Sequence, residues 1–170
     1  MDCSRFGLCI DSLSANNQKL VNCSETECLK SYDARKSVVV EENKKKYELI
    51  NSKFDKIANF HIDGGMISTN STVRCDNLLV DIDSQVAIFV ELKGTDLRHA
   101  LEQVYATVML LSQDLAQYQT YARIVTSSKT NVPNIKACPQ YVRLNKKIRE
   151  KRGNIDIHTN IISENVAGLV

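Results

Sequence analysis

The chain lacks several features that would assign it to a class at once. No run approaches the roughly 18 apolar residues that a membrane-spanning helix needs, and the opening residues MDCSRFGLCI have no charged region followed by an apolar core. There is also no internal repeat, no phosphate-cradling glycine loop and no low-complexity tract. These absences predict a soluble, cytoplasmic protein that has no membrane partner and no ATP-driven activity.

A strong net charge is missing as well. The formal charge is +2, from 22 Lys and Arg against 20 Asp and Glu. This excludes a histone-like binder but is compatible with a local basic face. At 170 residues and 43% hydrophobic, the chain is long enough to bury about 70% of its unfolded surface in one domain. We divide it into a polar, weakly periodic N-terminal extension at residues 1–33 and a folded domain at residues 34–170.

The six cysteines are expected to be free thiols, because disulfides are rare in a reducing compartment. Cys3 and Cys9 are separated by five residues, and Cys23 and Cys28 by four. Structural zinc sites usually have about two to four residues between paired cysteines. The spacing therefore favours free thiols over a structural Zn²⁺ site.

Two apolar runs in the middle of the chain deliver charged residues to one place. RCDNLLV (residues 74–80) and VAIFVELK (residues 86–93) read as strands, and the short polar DIDSQ between them predicts a hairpin. Because side chains alternate along a strand, Glu91 and Lys93 leave the same face, and the hairpin brings Asp76 near Glu91. Two carboxylates suit a hard divalent cation, and a neighbouring ammonium can stabilise a phosphate. An isolated pattern of this kind also fits a charged hairpin rim.

The segment after the second strand favours a metal-binding site over a charged hairpin rim. TDLRHALEQVYATVMLLSQDL (residues 95–115) repeats apolar residues at helical spacing, and Thr95 or Asp96 can cap its first turn. Gln103 lies at the flank of the apolar stripe. The site strand therefore leads directly into an amphipathic helix.

This arrangement resembles the PD-(D/E)xK nuclease superfamily, which includes restriction-endonuclease-like and Holliday junction resolvase-like proteins. Asp76 stands in the first motif and Glu91-Leu92-Lys93 in the second, and the resemblance covers roughly residues 40–160. It implies an α/β fold with an αβββαβ core, in which a mixed central sheet is flanked by helices. Cys75 stands where the family has proline.

The resemblance also implies a site and a substrate. Asp76 and Glu91 would hold Mg²⁺ or Mn²⁺, and Lys93 and Gln103 would complete the catalytic set. Nucleic acid is the implied partner, with DNA preferred to RNA, and a homodimer is left open. The family often adds a fourth acid, for which the sequence leaves four candidates open: Glu41, Glu42, Glu48 and Asp63.

A second helix is predicted at YVRLNKKIREKR (residues 141–152), with apolar residues at helical spacing and basic residues on the other faces. A helix of this composition can contact the phosphate backbone. A solvated lysine-rich face is the alternative, and KKK at residues 44–46 could extend the same surface. The proposed phosphate contacts are Arg143, Lys146, Lys147 and Arg149.

The remaining segments give shorter indications. KIANFHI (residues 56–62), YQTYARIVTSS (residues 118–128) and NIDIHT (residues 154–159) read as strands. EENKKKYELI (residues 41–50) is favoured as the family's first helix by composition, with a strand as the alternative. ENVAGLV (residues 164–170) is expected to be a loosely held terminus.

Two functions fit these patterns. The first is a metal-dependent nuclease that hydrolyses phosphodiester bonds with a metal-activated water. The second is a catalytically inactive nuclease-like module that binds nucleic acid or a protein partner. The presence of all three core residues, Asp76, Glu91 and Lys93, favours the enzyme.

Overall fold

Two sheets and three helices build the part of the chain that the computed structural model describes, residues 6–15, 28–67, 73–127 and 134–170. The larger sheet has the strand order β1-β4-β5-β6-β7-β8 and the smaller one the order β2-β3-β9. The elements are α1 (Phe6–Ser14), β1 (Leu29–Asp33), β2 (Ser37–Glu42), β3 (Lys45–Ile50), β4 (Ile57–His61), β5 (Asn77–Asp81), β6 (Val86–Lys93), α2 (Leu97–Leu110), β7 (Gln119–Thr126), α3 (Pro139–Glu150), β8 (Ile155–Thr159) and β9 (Ile161–Asn165).

The predicted hairpin lies at the centre of the large sheet. Strands β5 and β6 pair antiparallel, from Asn77 opposite Val90 to Asp81 opposite Val86. Beyond β6 the sheet becomes parallel, since β6 pairs with β7 and β7 with β8 in that sense. The sheet is therefore mixed, as predicted, and β4, β7 and β8 confirm the three other predicted strands.

Side-chain alternation divides the core into two layers. Phe89 and its neighbours at alternate positions pack against the helices, whereas Ile88 and its alternates pack against the small sheet. A strand covered on both faces reads as a continuous apolar run, which is why β6 has hardly any polar residue before Glu91. The helices share one face of the large sheet, and the small sheet covers the other.

The two predicted helices form as α2 and α3. Asp96 caps α2 by accepting a hydrogen bond from the His99 N–H at 3.0 Å. Helix α3 turns Leu144 and Ile148 into the core, which matches its apolar spacing. Over the described ranges, no helix is both long enough and apolar enough to cross a bilayer.

Part of the segment predicted as an N-terminal extension belongs to the core. Phe6, Ile10 and Leu13 of α1 are buried, and Phe6 meets Phe60 of β4 edge to face with ring centroids 5.2 Å apart. Strand β1 pairs with β4 along the edge of the large sheet. The apolar spacing of four and then three residues within FGLCIDSL was the helical signal that the polar surroundings concealed.

The preference for a helix at residues 41–50 is wrong. This segment forms the end of β2, a tight turn and β3, which pair antiparallel. Tyr47 and Leu49 point into the core at alternate positions, and Asn43 and Lys44 adopt positive φ values in the turn. Burial of the alternating apolar side chains outweighs the helix-favouring lysines and glutamates.

The expectation of a loosely held C-terminus is also wrong. Strand β9 pairs parallel with β3, and Val166 is fully buried. Glu164 accepts hydrogen bonds from Arg123 Nε at 2.6 Å and Nη2 at 2.9 Å, and from the Tyr47 hydroxyl at 2.8 Å. Because Arg123 is only 2% exposed, this charged pair fixes the end of the chain against the large sheet.

Candidate functional site

Asp76, Glu91 and Lys93 meet at one end of the β5–β6 hairpin. The Asp76 N–H donates to Glu91 Oε2 at 3.1 Å, and the Leu92 N–H donates to Asp76 Oδ2 at 2.7 Å. Lys93 Nζ lies 4.0 Å from Glu91 Oε1. Continuing the hairpin register places Asp76 opposite Glu91, as strand alternation predicts. The structure thus brings all three residues of the predicted core together.

The electrostatics of this cluster are unfavourable without a further positive charge. Glu91 is 1% exposed, and burial, followed by the charge of Asp76, raises the pKa of its carboxyl group to about 9. Lys93 opposes that shift only in part. Burial also raises the pKa of Asp76, although the Leu92 N–H offsets some of it. Near neutral pH the site therefore favours a bound proton or a cation over two bare carboxylates.

Two of the four candidate acids lie near the cluster. The charges of Glu42 and Asp63 both contribute to raising the pKa of Asp76. Glu48 is instead held by Lys46 at 3.1 Å, on the outer face of the small sheet. Glu41 is exposed, and it is not among the charged groups that chiefly shift the pKa of Asp76. The electrostatic effects on Asp76 therefore leave Glu42 and Asp63 as the candidates for the fourth acid.

Asp63 is itself paired. Arg74 Nε donates to Asp63 Oδ1 at 2.8 Å, and the Arg74 side chain is only 8% exposed. Asp63 precedes Gly64, which has a φ of 76° in the turn after β4. The Asp63–Arg74 pair ties this turn to the chain that enters β5, two residues before Asp76.

Gln103 also contacts the segment that enters β5. Its Nε2 donates to the Arg74 carbonyl oxygen at 2.8 Å, while its buried Oε1 has no hydrogen-bond partner within the described residues. The structure therefore gives Gln103 a hydrogen bond to the backbone ahead of Asp76, and none to Lys93. A buried acceptor without a partner is uncommon in folded proteins.

Thr107 is a contributor that sequence reasoning missed. Its Oγ1 accepts from the Cys75 N–H at 2.9 Å and donates to the Gln103 carbonyl. Thr107 lies one helical turn after Gln103, and this spacing was the available signal. A proline at position 75 would have no N–H to donate. The cysteine that stands in its place therefore gains a tether to α2.

The basic helix α3 runs alongside α2. Gln140 bonds Glu102 at 3.2 Å, and the Arg143 guanidinium lies 4.5 Å from the centre of the Tyr105 ring. Lys147 is paired with Glu150 at 3.0 Å. The N-terminal half of α3 therefore lies beside the part of α2 that carries Gln103. Of the other proposed phosphate contacts, Lys146 and Arg149 are exposed.

The lysines at residues 44–46 lie at the tip of the β2–β3 hairpin. Lys45 is buried and Lys46 is paired with Glu48, while Lys44 occupies the turn. Glu42 precedes this turn and is close enough to influence Asp76. The tip of the hairpin therefore approaches the carboxylate cluster, a proximity that the sequence could not give.

Metal-ligating groups are sparse. The described parts of the chain contain no group of three or more His, Cys, Asp or Glu side chains arranged to hold a metal ion. Cys9 is half-buried and Cys28 is buried, and the other two members of the four-cysteine set, Cys3 and Cys23, lie outside the described residues. Asp76 and Glu91 offer two hard oxygen donor groups. That donor set suits a cation that keeps water in its remaining positions.

Comparison of the chain with known protein families, with curated proteins and with solved structures finds no match in any of the three.

Proposed function

We propose that the chain is a metal-dependent nuclease of the PD-(D/E)xK type. The observation that carries the proposal is the convergence of Asp76, Glu91 and Lys93 at one end of the central hairpin. The run β4-β5-β6-α2-β7 follows the βββαβ part of the family's core and supports a restriction-endonuclease-like fold. The helix that precedes this run in the chain is α1, with β1, β2 and β3 between them.

Asp76 and Glu91 are the residues that would hold Mg²⁺ or Mn²⁺. When bound, the metal supplies Lewis-acid stabilisation of the phosphate and a water of lowered pKa. The Leu92 N–H fixes one oxygen of Asp76, and the Asp76 N–H fixes one oxygen of Glu91, so both carboxylates are oriented by the backbone. Such preorganisation reduces the reorganisation needed during the reaction.

Lys93 supplies the positive charge of the protein in this cluster. Its side chain is 28% exposed, so the ammonium can contact both Glu91 and a phosphate that arrives from solvent. It would orient the attacking water or stabilise charge on the phosphoryl group. Gln103 and Thr107 keep the chain ahead of Asp76 in place through Arg74 and Cys75. No protein nucleophile is required, and no covalent enzyme intermediate is expected.

A panel of linear, circular, single-stranded and branched DNA, with RNA alongside, tests the proposal in the presence of Mg²⁺ or Mn²⁺. Cleavage of at least one substrate that disappears on chelation is expected, with DNA preferred. Absence of cleavage on every substrate with either metal would contradict the proposal. The substrates separate strand preference from junction preference, and the circular DNA separates endonuclease from exonuclease action.

A second candidate is a nuclease-like module that binds nucleic acid without cleaving it. It needs only a basic surface, which the exposed Lys146 and Arg149 of α3 supply, and no metal at the cluster. Such a module would retain the basic surface of α3 and bind DNA with a salt-dependent affinity, yet would leave every substrate in the panel intact. Binding measured alongside cleavage therefore distinguishes the two functions.

The proposed nucleic-acid surface gives a quantitative prediction. Replacing Lys146, Lys147 and Arg149 together by glutamine should weaken DNA binding without changing sequence preference, because phosphate contacts carry no base information. Each lost contact reduces the slope of log affinity against log salt by about 0.7–0.9, so the triple variant should lose roughly two to three units of slope. Fluorescence anisotropy over a salt series measures both quantities.

A matched control removes three exposed charges elsewhere. Lys30, Lys36 and Lys53 lie in β1, just before β2 and in the turn after β3, and their replacement by glutamine changes the net charge by the same amount. This control should retain nearly the parental slope. Equal slopes for the parent and the α3 variant would show that the basic face of α3 is solvated and does not contact the phosphate backbone. The hairpin tip at residues 44–46 would then be the next surface to test.

A further inference from the structure

The opposite end of the β5–β6 hairpin carries a carboxylate pair that the proposed mechanism does not use. Asp81 closes β5 and is 1% exposed. Its Oδ1 accepts from the Ser84 N–H at 3.0 Å, whereas its buried Oδ2 has no hydrogen-bond partner among the described residues. Asp55, in the loop before β4, lies within hydrogen-bonding reach of the Asp81 carboxyl group. An ionised oxygen buried in this way is costly unless something compensates it.

The surrounding structure holds both carboxylates in position. Ser84 Oγ donates to Asp55 Oδ2 at 3.0 Å, so one residue orients both acids. Asn51 accepts from the Asp55 N–H at 3.1 Å and donates to the Asp55 carbonyl at 2.8 Å, which fixes the loop. The two acids are thus held together by groups that bind the backbone and by Ser84, rather than by a basic residue.

The balance of charge around the pair is negative. Burial, then the charges of Asp55 and Asp83, raise the pKa of Asp81 to about 6, against the lowering effect of the Ser84 N–H. Within the described ranges, neither Asp55 nor Asp81 forms a salt bridge with a basic side chain. Two other ionisable groups lie close by. The backbone N–H of Lys56 donates to Asp83, and the Lys56 ammonium lies 5.8 Å from the centre of the Tyr32 ring. The charge of Asp81 contributes to raising the pKa of Tyr118.

We propose that Asp55 and Asp81 bind a divalent cation that links the loop before β4 to the turn of the central hairpin. Carboxylate oxygens are hard donors, and Mg²⁺ is commonly bound through one or two carboxylates while it keeps several waters. Asp55 is half-buried, which leaves a side on which such waters can lie. Ser84 is the positioning residue for both ligands. The site is structural in kind, because it joins two segments that are already hydrogen-bonded to each other through Lys56 and Ser84.

This site is separate from the proposed catalytic one. Asp76 lies just before β5 and Asp81 ends it, so the two residues are about 17 Å apart for five residues of extended chain. The two sites can therefore be tested independently. Replacing Asp76 by asparagine and Glu91 by glutamine removes the carboxylates of the catalytic cluster and leaves Asp55, Asp81 and Ser84 unchanged.

Thermal unfolding of that double variant with MgCl₂ or CaCl₂, against NaCl of equal ionic strength, tests the proposal. At neutral pH and about tenfold excess over Kd, the cation should raise Tm by roughly 3–6 °C. Adding Asp81→Asn or Asp55→Asn should abolish this increment. Adding Asp83→Asn, which removes the same charge from an exposed neighbour, should leave most of it. The Asp55→Asn variant decides the case if Asp81→Asn does not fold.

The increment should also shrink as the pH falls through about 6, because a protonated Asp81 is a poor ligand. Two results would overturn the proposal. One is an increment that survives both Asp55→Asn and Asp81→Asn. The other is a Tm that rises as the pH falls from about 8 to about 5 but does not respond to either cation, since Asp55 and Asp81 would then share a proton.

Discussion

Asp76→Asn and Glu91→Gln are each expected to reduce DNA cleavage by on the order of a thousandfold or more while the fold is retained. Each change removes one of the two carboxylates that would hold the metal. Each also keeps an oxygen that can accept the backbone hydrogen bond, from Leu92 in one case and from Asp76 in the other. Initial cleavage rates with saturating Mg²⁺, on the best substrate of the panel, measure the loss.

The control for this experiment is Glu41→Gln. It makes the same chemical change as Glu91→Gln at an exposed position of β2. Its cleavage rate should match that of the parent. Circular dichroism and Tm verify that each variant is folded. If folded Asp76→Asn or Glu91→Gln protein cleaves at the parental rate, the cluster has a structural role and the nuclease proposal fails.

Glu42→Gln separates the remaining candidates for a fourth acid. Glu42 reaches the cluster from the small sheet, and Asp63 reaches it from the turn after β4. Asp63 is paired with Arg74, whereas Glu42 forms no salt bridge within the described residues and can add its negative charge when a cation binds. The two acids can be compared in the same cleavage assay. Asp63→Asn also breaks the pair with Arg74, so this variant should in addition be less stable than Glu42→Gln.

The sequence predicted the elements whose signals are local. Alternation in VAIFVELK and the short polar turn before it were sufficient for the β5–β6 pair, and the hairpin fixed the register that brings Asp76 to Glu91. The spacing of apolar residues similarly predicted α2 and α3. In these cases the pattern that defines the element also decides which side chains are buried.

The elements that were missed depend on distant partners. Strand β3 is stabilised by β2 and by β9, which lies more than a hundred residues later in the chain. Composition alone therefore favoured a helix at residues 41–50. The approach of Glu42 to Asp76 has the same origin, because it follows from how the small sheet packs on the large one. The hydrogen bond from Gln103 to the Arg74 carbonyl likewise requires the helix to be docked before it can be seen.

The second large effect is expected on stability, and here the substitution should be favourable. In metal-free protein, Glu91→Gln should raise the free energy of unfolding at neutral pH by about 1–3 kcal/mol. The pKa of Glu91 is about 9 in the folded protein against an ordinary value of 4.5, because the side chain is buried beside Asp76. Between these values the folded state holds a proton that the unfolded state has released. Folding therefore becomes less favourable as the pH rises, and glutamine does not carry this penalty.

Urea unfolding in the presence of a chelator, at several pH values, measures the difference between the two proteins. The free energies should nearly coincide below about pH 4, where Glu91 is largely protonated in both states, and should separate as the pH rises towards 9. Glu41→Gln, at an exposed position of β2, again serves as the control. A constant difference across this range would mean that Glu91 is not destabilised by burial and by Asp76. Replacing the chelator by Mg²⁺ should narrow the difference between the two proteins, because the cation can bind Glu91 in the parent, whereas glutamine is a poor ligand for a hard cation.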